Sequence, residues 1–223
     1  MSAYDELMAF QRQTEALGQI AGRLGWDQET MMPEGAADQR AEEFAAMESV
    51  LHARKTHPQI GEWLAKIDAS TLDPVPAANV RHIARSFERS QRVPAKLAEA
   101  IAKLSSSAQR IWADARERED VAAFLPALEE MIALKRDEAS ALAQGGDAYD
   151  ALLDDYEPDT SGEDVAATFA AMRPRLVALR DKVMGADQPP ELKFEFDEQK
   201  QMRLARSLAK TFVYDMQKGR LDK

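Results

Sequence analysis

The chain has 223 residues, 45% of them apolar and 30% charged, enough to bury a core without covalent staples and too apolar for a disordered chain. It holds no cysteine and carries a formal charge of −10. Those facts exclude a disulfide scaffold, a thiolate zinc site, an iron–sulfur cluster and a cysteine nucleophile, and leave no cationic footprint for nucleic acid or an anionic membrane.

No apolar run approaches bilayer length and the first residues, Met1-Ser-Ala-Tyr-Asp-Glu6, lack the pattern of a signal peptide, so a soluble, cytoplasmic protein is expected. Composition points to helix: 39 alanines stand against 23 valines, isoleucines and threonines together. From Tyr4, the apolar residues Leu7, Met8, Leu17, Ile20 and Leu24 mark one stripe of a long helix. A break is expected over Gly25 to Gly35, where Pro33 and Gly35 punctuate the chain. Phe44, Met47, Val50 and Leu51 define a second helix stopping near His57-Pro58, and Ile60, Trp63, Leu64 and Ile67 a short third.

A turn is expected at Asp73-Pro-Val-Pro76, then a helix bearing Val80, Ile83, Ala84 and Phe87. Pro94 suits a first helical position, and Leu97, Ile101, Leu104, Ala108, Ile111 and Trp112 draw the next stripe. Asp120 can cap a helix through Val121, Phe124, Leu128, Met131 and Ile132, with Pro126 expected to kink or restart it, and Gln144-Gly-Gly146 ends it. After a short segment over Tyr149 to Tyr156, Ser161 and Asp164 form a capping box. Val165, Phe169, Met172, Leu176, Leu179 and Val183 then alternate by four and three, a heptad-like seam in which Pro174 predicts a bend. Only residues 192–196 alternate with period two; Asp197 then caps a last helix through Met202, Leu208 and Phe212. The expectation is an all-α array of antiparallel neighbours, a single helical region over 1–223, with at most one short strand or hairpin near 192–196.

A search for chemistry among these residues comes back empty. His52 and His57 are five positions apart, about 140° around a helix, so neither they nor His82 can form the i, i+4 imidazole pair of a helical zinc hydrolase. Glu48 and His52 share a helical face and read more simply as a surface pair. Asp155-x-Glu157-x-Asp159 resembles the start of a calcium loop, but Thr160 stands where glycine is needed and Ala166 where a bidentate acid is needed, so a solvated acidic turn with capping duties is the expectation. Gly145-Gly146 has no following Lys-Ser/Thr, and Ser105–Ser107 lack a glycine elbow. Catalytic and metal-ligating residues are accordingly read as none.

One ordered set of segments adds a resemblance. Leu24-Gly-Trp26-Asp27-Gln28-Glu29-Thr30-Met31-Met32-Pro33 is similar to the early signature of the thermostable (Taq-type) metallocarboxypeptidases. Ala78-Asn79-Val80-Arg81, Arg92-Val93-Pro94-Ala95, the Ala108 to Arg116 run, Phe124 to Glu129, Leu134 to Ala139, Tyr149-Asp150-Ala151-Leu152-Leu153-Asp154-Asp155-Tyr156-Glu157-Pro158 and Gly219-Arg220-Leu221-Asp222 follow in the family's order. After Glu157-Pro158 the family usually has Gly-Met-Thr; here stand Asp159-Thr160-Ser161.

The resemblance implies a mostly helical, usually homodimeric enzyme that removes C-terminal amino acids from peptides. In the family, zinc (or cobalt) sits on a His-Glu-x-x-His helix and a downstream glutamate, polarising the scissile carbonyl and acidifying the attacking water. Those elements follow a Gly-Arg-Leu-Asp segment in the family, and this sequence ends just after its own, so no catalytic or metal-binding residue carries over and the chain itself is expected to hold no cofactor. The implied reading is an N-terminal, groove-framing portion of such an enzyme, inactive alone, with Trp26, Asp27, Thr30 and Met32 as candidates to line or prop the substrate groove. The bland counterpart is that these four hold a tight turn against the core. The alternative function is a stand-alone helical binding or regulatory module without catalysis. Partners expected are a peptide substrate for the parent enzyme and a second copy of the chain, since helices lacking their family neighbours should expose an apolar patch; neither nucleic acid nor membrane is expected.

Overall fold

A computed structural model describes residues 2–187, 190 and 195–221. Every regular element among them is helical: α1 (Ala3–Thr30), α2 (Ala37–Lys55), α3 (Pro58–Lys66), α4 (Pro74–Arg92), α5 (Ala95–Glu117), α6 (Val121–Ala143), α7 (Ala148–Leu153), α8 (Gly162–Met184) and α9 (Glu198–Thr211). The all-α class stands. The period-two segment falls largely on residues 192–194, outside the described residues; Glu195 and Phe196 have no regular structure.

The caps follow the sequence. Ser2 and Asp5 close a reciprocal box, Asp5 N–H donating to Ser2 Oγ at 3.2 Å and Ser2 N–H to Asp5 Oδ2 at 3.0 Å. Asp120 accepts from Ala123 N–H, Ser161 and Asp164 repeat the reciprocal box, and Asp197 accepts from Lys200 N–H. Gln144 ends α6 in the left-handed region at φ 50°, with Gly145 at φ 93° taking the turn onward.

Three boundaries and one proline differ from the sequence reading. The first helix does not break at Gly25 but runs to Thr30. A single interior glycine costs a helix only about 1 kcal/mol, whereas Pro33 cannot continue it. The last turn closes when Met31 and Met32 N–H both donate to the Asp27 carbonyl, at 2.9 and 2.8 Å. Pro74 and Pro76 lie in the first turn of α4 rather than before it, where a missing N–H removes no helical bond. Pro94 is the N-cap of α5, one position earlier than expected. Helix α6 does not restart at Pro126, and Pro174 likewise lies inside α8.

The chain divides into two units, residues 1–167 and 168–223. In the first, α2 packs chiefly on α5 and α5 on α6, α1 lies against α2 and α3, and α4 touches α2, α3 and α6. Leu7 and Ile60 are fully buried, and Ala41, Leu51, Val80, Leu104, Ala115, Ala127, Ala139 and Leu142 complete the core. Alanine at four of these contact points lets helix axes approach closely, which is how an alanine-rich chain reaches native packing density. Polar ties fix α1: Arg54 lies 4.0 Å over the Phe10 ring and donates from Nε to Thr14 Oγ1 at 2.9 Å, while Trp63 Nε1 donates to Glu6 at 2.8 Å. In the second unit none of the described residues is buried, and α8 and α9 do not pack on each other.

Candidate functional site

The longer α1 relocates the four groove candidates. Trp26, Asp27 and Thr30 sit on the last turns of the helix, and Met32 follows its end. Trp26 and Thr30 are four apart and share a face; Thr30 Oγ1 donates back to the Trp26 carbonyl at 2.6 Å, a use of the hydroxyl that helps end the helix. Trp26 is 39% exposed and Met32 half-buried, so neither is a fully packed core residue.

Asp27 pairs with Arg40. This arginine, missed by sequence reasoning, is buried near the start of α2 and forks three ways: Nη2 to Asp27 Oδ2 at 2.5 Å, Nη1 to the Leu24 carbonyl at 2.6 Å and Nε to Glu43 at 2.9 Å. The planar guanidinium suits this task because its donors diverge in one fixed plane. The hydrogen bond to Asp27 raises the Arg40 pKa above its ordinary value against the opposing effect of burial, with Glu43 adding to the rise. One side chain thereby satisfies a carbonyl of α1, pins Asp27 and anchors the α1–α2 corner. Neighbouring ties hold the same corner to α5: Ser106 Oγ donates to Gln28 Oε1 at 2.5 Å, Gln109 Nε2 to Glu29 at 2.9 Å and Arg110 Nη1 to the Glu34 carbonyl at 3.1 Å. Trp26 and Thr30 are thus displayed on a helix end braced from two sides.

The acidic stretch 147–159 is structured by α4 rather than simply solvated. Arg85 reaches Asp154 at 2.5 Å, and Arg89 reaches Asp154 at 3.3 Å and Asp155 at 2.7 Å. Asp147 caps α7 through Tyr149 and Asp150 N–H, and Asp150 accepts from Gly162 N–H at 2.7 Å. Burial opposes ionisation of Asp154, but the Asp159 N–H, the Arg85 hydrogen bond and the charges of Arg85 and Arg89 outweigh it and hold its pKa below the usual carboxylate range. A cavity of about 510 Å³ lies beside this network, lined by Arg81, His82, Arg85, Arg89, Asp154 and Asp159 among others.

The histidines are dispersed in role. His52 Nε2 lies 2.7 Å from the Val93 carbonyl and so carries its proton there; His57 Nδ1 accepts from Gln59 N–H and caps α3; His82 is exposed. Among the described residues no group of three histidine, cysteine, aspartate or glutamate side chains could hold a metal ion. The donors among the described residues therefore do not fit a catalytic metal. No described helix is long and apolar enough to cross a membrane.

Comparison with known proteins places this architecture. The family described as carboxypeptidase Taq (M32) metallopeptidase matches residues 6–223. The chain belongs to that family. It is 37% identical over 237 aligned residues to thermostable carboxypeptidase 1 of Thermus thermophilus, covering 99% of this chain and 46% of that relative. Against carboxypeptidase 1 of Bacillus subtilis the identity is 24%, over 89% of this chain and 41% of the relative. Among solved structures, the crystal structure of BsuCP superposes with a TM-score of 0.89 at 21% identity, over 99% of this chain and 45% of that one, a likeness of fold. Metallocarboxypeptidase 1 of Trypanosoma cruzi superposes at 0.76 with 30% identity, over 99% and 46%. The chain spans about half the length of the relatives it matches.

Proposed function

We propose that this chain is the N-terminal, groove-framing part of a metal-dependent carboxypeptidase, a single helical region that serves peptide hydrolysis without supplying the reacting groups. One observation carries this reading: the family match over residues 6–223 lies on a chain that spans about half the length of its relatives. Zinc, or cobalt in its place, belongs on this reading to the remaining part of the family's length, together with the general base. Trp26, Thr30 and Met32 present partly exposed apolar and hydroxyl groups at the braced end of α1 to the peptide groove, while Asp27 props them through Arg40. As part of the same reading the chain self-associates, since apolar side chains such as Val121 (70% exposed) and Leu125 stand out on α6.

The test is hydrolysis of a blocked dipeptide by the pure 223-residue chain with zinc or cobalt added. Expected is no release of the C-terminal amino acid above the metal-only blank; robust turnover that tracks the chain's concentration overturns the reading. Light scattering checks self-association, for which a monodisperse monomer across the concentration range is the contrary result.

A further inference from the structure

We draw no further inference here: the strongest candidate, the arginine-lined cavity between α4 and the 154–159 turn, already has Arg85 and Arg89 paired with Asp154 and Asp155, and nothing in the structure shows what covers its open side.

Discussion

Arg40 carries the strongest single prediction. Its side chain is 10% exposed while its partners Asp27 and Glu43 are 39% and 36% exposed. Removing one member of a fully buried pair costs about 3–5 kcal/mol, because the remaining charge is stranded. Here water can reach both carboxylates, so most of that stranding is relieved. What remains is the loss of the Leu24 carbonyl's charged donor, a contribution of about 1.5–3 kcal/mol, and of the packed alkyl stem. Arg40→Ala should therefore destabilise the chain by about 2–3 kcal/mol, read as a lower urea midpoint at unchanged m-value. Asp27→Asn should cost about 1 kcal/mol, and in the double variant the two losses should fall short of additivity by about 1 kcal/mol, the coupling of two groups in direct contact. A loss below about 0.5 kcal/mol for Arg40→Ala, or strict additivity with Asp27→Asn, would refute the view that this fork anchors the α1–α2 corner.

The remaining predictions concern charge, capping and packing. Asp154 has a folded pKa held below its unfolded value of about 3.9, so its contribution is present above that value and is lost as pH falls through the lower, folded one. Asp154→Asn should lower stability at neutral pH and flatten the acid limb of the urea-midpoint profile below about pH 4; parallel profiles for the two proteins would contradict this. Ser161→Ala removes the hydroxyl that accepts from Asp164 N–H at 3.1 Å and should cost about 1 kcal/mol, with amide exchange accelerating in the first turn of α8. Leu7→Ala, at a fully buried site, should cost about 2–5 kcal/mol by chemical unfolding. Gly61→Val should be unfavourable by about 1–3 kcal/mol, because a Cβ at Gly61 already meets the Phe87 ring at 3.3 Å and branching adds a second methyl there.

The helices were legible because their information is local. Amphipathic spacing located α2 to α6, and Ser161–Asp164, Asp120 and Asp197 named three caps that the structure closes with hydrogen bonds. The misread break at Gly25 shows where local reasoning fails: glycine weakens a helix by little, and the turn's geometry is set by Pro33 and by the bonds of Met31 and Met32 to Asp27. The candidate residues were readable only through a family resemblance, since nothing in their own spacing marks them. Arg40 escaped altogether. It lies 13 positions from Asp27 and 16 from Leu24, and no periodicity links an arginine on one helix to a carbonyl on another.

The same division runs through the acidic stretch. Its composition allowed either a cation loop or a solvated turn, and α4 decided otherwise by bringing Arg85 and Arg89 to Asp154 and Asp155 across more than sixty residues. By itself, then, the order of residues determined the helical class, most helix ends and the lack of thiol chemistry, because propensity, capping and composition act within a few positions along the chain. Tertiary structure alone decided which charges meet and which alanines are buried, because each depends on groups far apart in sequence that packing brings together.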